Sequence, residues 1–294
     1  MHTNAGAHFF RNATGRQVMD SGRFGAESTQ EAASEQTGAA KGFWTTDDRY
    51  IMFFWIHGSK DSTLNLGWDS MQSLPREAWV DDELTPPELA LYPAEETERL
   101  RVRMLARRSF TGAQVAGWAR TGGEFRLDEV HGNTIDIELE AQFRDGQAVP
   151  AGVQVGLVVL QGSVERTIVW VETLGDMAVL SGDFTRSTTL DINGSHVIPQ
   201  CDTAPNTSCV FGPPAMKLKQ EESMLSLRLV TDRSVVEAFA QGGRRQLTSR
   251  VYPNQTESSG VSVLFRGDAA NLTALRVTVW AMDDAALDFS QKRN

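Results

Sequence analysis

The sequence predicts an all-β protein, and three observations support this fold class. Short runs rich in valine, isoleucine, leucine and aromatic residues recur along the chain, bounded by glycine, proline, aspartate or asparagine. Sustained helical periodicity is scarce. From about residue 106 onward, the spacing of the runs is typical of a two-sheet antiparallel β-sandwich.

The clearest strand candidates share this composition and these boundaries; they are Tyr50–Ile56, Thr134–Phe143, Val153–Leu160, Thr167–Glu172, Ser226–Val230, Val235–Ala240, Gly260–Phe265 and Leu272–Trp280. In the run from Ile135 to Glu140, apolar and acidic residues alternate, which predicts one buried face and one face in water. Such a sheet needs a second layer over its apolar face.

Two segments depart from the strand pattern. Glu88–Arg103 contains paired glutamates and arginines punctuated by Pro93, and it is the one plausible helical piece, which we interpret as a connector. Residues 25–42 are polar and rich in small side chains, which favours a flexible surface loop.

Composition excludes several classes of partner. The formal net charge of the 294 residues is -10, which argues against nucleic acid because phosphate binding needs a basic surface. The longest apolar run, Tyr50–Ile56, is far shorter than the roughly 20 residues that span a bilayer, so we expect no membrane insertion. The N-terminal residues show no apolar core typical of an export signal.

Five motifs resemble segments of glycoside hydrolase family 32, which contains invertases, inulinases, levanases and fructosyltransferases. They occur in family order: DSGRF at Asp20–Phe24, GWxSxQxxPR within Leu66–Arg76, YPxEE at Tyr92–Glu96, a long sandwich signature at Leu225–Pro253, and VWxM at Val279–Met282. The resemblance implies the end of a five-bladed β-propeller in residues 1–85, a linker in 86–105 and a C-terminal β-sandwich in 106–294. The remaining blades would come from upstream sequence or from another chain.

The family resemblance implies retaining hydrolysis of sucrose or fructans, but the motifs that carry its catalytic carboxylates are absent. In the family these motifs are WMNDPN for the nucleophile, RDP for the transition-state stabiliser and EC for the acid/base; none occurs in this sequence. The nearest fragments, Arg144–Gly146 and Arg266–Asp268, are interpreted as turns. We therefore predict no catalytic residue within the chain.

Two residues are candidates for substrate binding. Asp20 and Arg23 match the family's DxG(K/R) element, whose acidic and basic side chains reach the propeller cavity. A carboxylate accepts hydrogen bonds from sugar hydroxyls and a guanidinium donates them. The competing interpretation is a strand-edge turn with a surface ion pair.

Other conspicuous residues are given structural roles. Trp44 and Trp55 offer flat faces to a sugar ring, but strand tryptophans more often pack in a core, and we favour the core. Gln72 and Arg76 are expected to anchor an interface between the two domains. Asp232 and Glu237 are interpreted as a hairpin turn and a strand position, not as a catalytic pair.

The chain also carries signs of an extracellular setting for the parent protein. Cys201 and Cys209 flank a loop-like segment and are candidates for a disulfide, and five asparagines lie in N-x-S/T sequons: Asn12, Asn193, Asn206, Asn254 and Asn271. The five histidines lack metal-ligand spacing and no dinucleotide or phosphate-binding fingerprint occurs, so no metal site and no cofactor are expected.

Two functions from different classes remain open. The chain is either the C-terminal portion of a fructosidase or a non-catalytic carbohydrate-binding or interaction protein derived from the family. An exposed apolar patch where the propeller should continue would favour the first, and a concave surface with several tryptophans would favour the second.

Overall fold

The computed structural model describes residues 8–11, 17–20, 37–56, 58, 70–84, 87–119, 121–192, 195–196, 201, 208–219 and 222–283. Within these ranges, strands dominate, and every strand pairing is antiparallel. The predicted all-β class is therefore confirmed. No helix in the described ranges is long and apolar enough to cross a bilayer.

The N-terminal part forms a hairpin and a small sheet. The strands are β1 (His8–Arg11), β2 (Gln17–Asp20), β3 (Thr37–Trp44), β4 (Tyr50–Ile56), β5 (Met71–Gln72), β6 (Arg76–Asp81) and β7 (Glu88–Pro93). β1 pairs with β2, and the sheet has the order β3-β4-β6-β7, with β5 paired to the end of β4.

The C-terminal part holds the remaining elements. A 3-10 helix at Glu95–Leu100 leads into it, and its elements are β8 (Arg101–Phe110), α1 (Gly112–Ala119), β9 (Glu124–His131), β10 (Thr134–Phe143), β11 (Gln154–Gln161), β12 (Thr167–Leu174), β13 (Met177–Asp183), β14 (Asp191–Ile192), β15 (Ser195–His196), β16 (Val210–Phe211), β17 (Met216–Lys217), β18 (Met224–Asp232), β19 (Val235–Ala240), a 3-10 turn at Gln241–Gly243, β20 (Arg245–Arg250), β21 (Gly260–Arg266) and β22 (Leu272–Met282).

Two antiparallel sheets pack face to face as the predicted sandwich. One has the order β20-β19-β18-β10-β22-β8, and the other has the order β16-β13-β12-β11-β21-β9, with β17 paired to β13. Their inner faces form one large core, to which Ile137 and Leu139 of the first sheet and Val155 and Val171 of the second contribute. Burial of these branched side chains drives the association of the sheets, at about 25 cal/mol per Å² of apolar surface removed from water.

The alternation predicted for β10 holds with one exception. Ile135, Ile137 and Leu139 are buried in the core, but Asp136, on the opposite face, is also fully buried. The predicted wet face is therefore covered in part, by Tyr92 of β7 and Thr97 of the 3-10 helix, which contact Arg228 beside Asp136.

The predicted helical connector is wrong over most of its length. Residues 88–93 form β7, which pairs with β6 in the small sheet, and residues 101–103 begin β8 of the sandwich; only Glu95–Leu100 is helical. Pairing with neighbouring strands overrides the helical signal of the glutamates and arginines. The predicted surface loop is also wrong over residues 37–42, which lie in β3.

Candidate functional site

The small sheet and the sandwich are joined through Arg76 and Glu237. A terminal nitrogen of the Arg76 guanidinium donates to the Glu237 carboxylate at 2.7 Å and to the Thr248 hydroxyl at 2.6 Å. The second oxygen of Glu237 accepts from the backbone N–H of Leu74 at 2.9 Å. Arg76 ends the GWxSxQxxPR motif and Glu237 lies in the long sandwich signature, so two distant motifs form one contact.

The position of the Arg76 side chain follows from the strands that carry it. Arg76 is fully buried at the start of β6, and its guanidinium lies between two aromatic rings, 4.9 Å from the centroid of Phe54 and 5.1 Å from that of Phe239. Rings stabilise a stacked guanidinium, and the carboxylate compensates the cost of removing its charge from water. The expectation that Arg76 anchors an interface is met by this geometry.

A second junction is centred on the buried carboxylate of Asp136. Arg228 donates to both of its oxygens, at 3.1 Å and 2.7 Å, and Arg101 donates to one of them at 2.8 Å. Arg228 also donates to the Thr97 hydroxyl at 3.2 Å and lies 5.4 Å from the ring centroid of Tyr92. Residues of both parts of the chain thus surround one buried anion.

Burial and charge oppose each other at this junction. Burial alone lowers the pKa of Arg228 and of Arg101, but the hydrogen bonds and charge of Asp136 outweigh it and raise both pKa values. Burial raises the pKa of Tyr92, so its hydroxyl stays protonated. Arg101 also lies 4.0 Å over the ring of Trp280. Tyr92 of the YPxEE motif and Trp280 of the VWxM motif therefore border the same cluster.

Ion pairs and one close backbone approach complete the junction. Arg245 donates to Glu88 at 2.6 Å, and the ammonium of Lys219 lies 2.9 Å from the carboxylate of Asp81. Gly243 has a φ of +90°, and a Cβ atom there would lie 2.3 Å from the carbonyl oxygen of Leu91. Only glycine fits where the sandwich signature meets β7.

One face of the small sheet carries exposed aromatic side chains. The strand register places Phe43, Phe53, Trp55 and Trp79 on the face opposite to that of Met52, Phe54, Ala78 and Leu91. Phe43, Trp55 and Trp79 are 54%, 44% and 39% exposed, whereas the second set is buried. We call the face of Phe43, Phe53, Trp55 and Trp79 the aromatic face.

The core positions expected for two tryptophans are wrong. Trp44 is 64% exposed and Trp55 is 44% exposed, because each lies outside the buried cluster of the small sheet. Gln72 is also exposed and pairs with Trp55 through the β4–β5 ladder, so of the two expected anchors only Arg76 lies at the junction.

The predicted substrate-binding pair falls at the edge of what the structure describes. Asp20 is the last residue of β2, with only its backbone described, and Arg23 lies outside the described residues. Their proximity to a sugar stays a prediction. In the structure Cys201 and Cys209 are joined as a disulfide, with their Cα atoms 5.2 Å apart.

The sequons are distributed unevenly over the structure. Asn12, Asn193 and Asn206 lie outside the described residues. Asn254 is exposed in the loop between β20 and β21, and Asn271 is half-buried immediately before β22.

The buried carboxylates have structural roles in ion pairs and hydrogen bonds. Asp136, Glu165 and Glu237 are the buried acidic residues of the described ranges, and each is held by cations or hydrogen-bond donors. Burial tends to raise the pKa of Glu165, but donors from Gln255, Asn254, Ser258 and Thr189 hold it below its ordinary value. A general acid of a glycosidase needs the opposite shift.

Sequence reasoning missed the partners of Arg76 and the burial of Asp136. Glu237 was interpreted as an ordinary strand position, and Asp136 as part of a wet face. One signal pointed to Glu237, which is the acidic residue of the otherwise apolar strand β19, where an unpaired charge is costly. Asp136 alternates with Glu138 and Glu140 along β10, so its strand gives no such signal.

Comparison with known proteins identifies a family whose C-terminal domain matches the sandwich. Residues 96–281 match the family model described as "Glycosyl hydrolases family 32 C terminal". The chain is 29% identical over 276 residues to acid beta-fructofuranosidase 2, vacuolar, of a Rosa hybrid cultivar, a match that covers 84% of this chain and 40% of that protein. It is 30% identical over 259 residues to the 6(G)-fructosyltransferase of Asparagus officinalis, covering 81% and 40%.

Solved structures share the fold. Fructan 1-exohydrolase IIa from Cichorium intybus superposes with a TM-score of 0.64 at 20% identity, covering 86% of this chain and 49% of that one. The exo-inulinase of Aspergillus awamori gives 0.63 at 15% identity, covering 90% and 48%. The chain thus spans about 40% of the length of these curated relatives and about half of these solved chains. The match to the family model extends over most of the sandwich, and the chain belongs to glycoside hydrolase family 32 through its C-terminal domain.

Proposed function

We propose that this chain is the C-terminal portion of a β-fructofuranosidase-type enzyme that acts on sucrose or fructans by retaining hydrolysis. The observation that carries the proposal is the Arg76–Glu237 junction, which fixes the small sheet to a family 32 sandwich. Similar proteins are named as fructofuranosidases and a fructosyltransferase. The nucleophile and acid/base motifs are absent from the 294 residues, so in this proposal the catalytic carboxylates belong to polypeptide outside them.

The small sheet is proposed to be the last blade region of a β-propeller. Its antiparallel order β3-β4-β6-β7 follows the chain, and propeller blades are four-stranded sheets. The aromatic face supports this assignment, because adjacent exposed rings mark a surface that another element covers. The covering blade belongs to upstream sequence or to another chain.

In the assembled enzyme, the residues of this chain position the sugar and do not break its glycosidic bond. The Asp20 carboxylate accepts hydrogen bonds from fructosyl hydroxyls and the Arg23 guanidinium donates to them. The sandwich holds the blade in place through Arg76, Asp136 and Gly243. No cofactor and no metal enter this scheme.

The parent protein is proposed to pass through the secretory pathway. Disulfides such as Cys201–Cys209 persist in oxidising compartments. N-glycosylation of sequons also takes place in the secretory pathway. One similar protein is named as vacuolar.

A chimera tests the enzymatic proposal. The propeller of a characterised fructosidase is joined to this chain within Leu66–Arg76, and fructose release from sucrose and from inulin is measured for the chimera and for the chain alone. We expect activity only in the chimera, with a lower kcat/KM after Asp20→Asn when the junction is moved upstream of β2. Fructose release by the chain alone, or a folded but inactive chimera, would contradict the proposal.

A second candidate is a non-catalytic carbohydrate-binding module, favoured by one surface feature. A cavity of about 300 Å³ is lined by Lys41, Phe53, Phe54, Trp55, Ser70, Met71 and Gln72, which combine aromatic rings with polar groups. Aromatic rings and a few polar groups suit a sugar ring. Calorimetric titration of the chain with fructan oligosaccharides, and loss of the heat in Trp55→Ala, would favour this candidate.

A further inference from the structure

Asn254 lies in an exposed loop whose backbone is hydrogen-bonded to a buried side chain of the sandwich, Glu165. The sequon Asn254-Gln255-Thr256 lies between β20 and β21, outside both strands. Asn254 and Thr256 are exposed, and Gln255 is half-buried. The acceptor side chain and the hydroxyl of the sequon are therefore both in contact with solvent in the folded domain.

The carboxylate of Glu165 fixes the backbone of this loop. It is almost fully buried and accepts from the backbone N–H groups of Asn254 and Gln255 at 3.0 Å, and from the Ser258 hydroxyl at 2.8 Å. Thr189 donates to the same carboxylate through its N–H at 2.6 Å and its hydroxyl at 2.8 Å. Because the backbone amides point inward to this anion, a group attached to the Asn254 side chain leaves the loop's supporting hydrogen bonds intact.

Modification of the Asn254 side chain would disturb few contacts. Its amide nitrogen lies 3.5 Å from the Thr189 hydroxyl oxygen, at the outer limit of a hydrogen bond. A substituted amide keeps one N–H, so even this contact can remain. No core packing depends on the exposed Asn254 side chain.

Asn271 offers the opposite environment. It is half-buried, its carbonyl accepts from the backbone N–H of Arg144 at 2.9 Å, and the next residue, Leu272, belongs to the sandwich core. The Thr273 hydroxyl of the same sequon donates to the carbonyl of Gln142 at 2.8 Å. This sequon is built into β22, which is paired on both sides.

We propose that Asn254 is an N-glycan acceptor of this chain, that the attached oligosaccharide projects from one end of the sandwich, and that Asn271 stays unmodified. An N-linked glycan is bulky and must lie on the surface of the folded protein. The exposed loop at Asn254 meets this condition and the strand start at Asn271 does not. The assignment goes beyond the proposed hydrolytic function and does not depend on it.

Glycopeptide mapping tests the assignment. The chain is expressed in yeast behind a cleavable signal peptide, and peptides from the secreted and the cell-retained fractions are analysed by mass spectrometry before and after enzymatic deglycosylation. We expect most Asn254 peptides to carry a glycan and Asn271 peptides to carry none.

Matched variants separate the sequon from the loop. Asn254→Gln and Thr256→Ala should each remove one glycan from the intact mass, whereas Thr256→Ser, which keeps the hydroxyl, should retain it. Asn271→Gln should leave the glycan count unchanged. Unmodified Asn254 in both fractions, or equal occupancy at Asn271, would overturn the assignment.

Discussion

The guanidinium of Arg76 and the carboxylate of Glu237 lie 2.7 Å apart although 161 positions separate them in the chain. Both side chains are buried, and each belongs to a different family motif. The motifs therefore mark the junction between the small sheet and the sandwich. A charge left unpaired at this junction costs far more than the pair contributes by itself.

Removing one partner of this pair should destabilise the protein strongly. Glu237→Ala removes a carboxylate that accepts hydrogen bonds from the buried Arg76 guanidinium and from the backbone N–H of Leu74. We expect the free energy of unfolding to fall by about 3–5 kcal/mol, measured by urea denaturation. Glu140→Ala is the control, because the partly exposed Glu140 lies 4.0 Å from Arg276, and its loss should cost less than about 1 kcal/mol. Equal losses in the two variants would contradict the structural role of Glu237.

Two adjacent glycines should respond differently to a methyl group. Gly243→Ala places Cβ 2.3 Å from the Leu91 carbonyl oxygen, in a backbone with φ of +90°, so both a clash and strain arise. Gly242→Ala meets no atom within 4 Å and adds only the strain of its φ of +63°. We expect a loss of about 1 kcal/mol for Gly242→Ala and several-fold more for Gly243→Ala. Thermal unfolding of both variants checks this order.

The role of Glu165 should appear as a pH-dependent stability difference. Its pKa is lowered in the folded state, so it contributes stability that is present above its unfolded pKa and is lost as the pH falls through the folded value. Glu165→Gln should lower the free energy of unfolding by about 1.5–3 kcal/mol at pH 7. The deficit should shrink as the pH falls below about 4.

Urea titrations of the wild-type protein and Glu165→Gln at pH 7, 5 and 3.5 measure this difference. If the difference in the free energy of unfolding between the two proteins stays constant with pH, the charge of Glu165 does not contribute to stability.

The disulfide between Cys201 and Cys209 should stabilise the sandwich. Both cysteines are buried in its core, and losing a native disulfide typically costs about 2–4 kcal/mol. We expect native protein to contain no free thiol, and the double variant Cys201→Ser/Cys209→Ser to melt at a lower temperature. A reductant should lower the Tm of the wild-type protein and leave that of the double variant unchanged. Free thiols in unreduced protein would contradict the bond.

Local patterns predicted the strands well and the long-range contacts poorly. The boundaries of Tyr50–Ile56, Thr134–Phe143 and Val235–Ala240 match the structure, because alternation and turn residues mark strands within a short window. The hairpin after Asp232 is likewise confirmed, with a positive φ at Arg233.

The failures share a physical cause: partners far away in sequence decide burial. Asp136 is buried because Arg101 and Arg228 lie beside it, and no local pattern reveals this. Residues 88–93 belong to the segment whose glutamates and arginines predict a helical connector, yet pairing with β6 makes them a strand. Trp44 and Trp55 are exposed because they lie outside the buried cluster of the small sheet, and the sequence of a single strand does not show which of its side chains are covered.

The most direct test of the central claim is to sequence the transcript upstream of the codon for Met1. We expect an in-frame extension that encodes WMNDPN, RDP and EC motifs, which would supply the catalytic carboxylates and the blades that cover the aromatic face. An in-frame stop codon followed by a genuine start at Met1 would contradict this extension and leave two alternatives, namely blades supplied by another chain or a non-catalytic binding module.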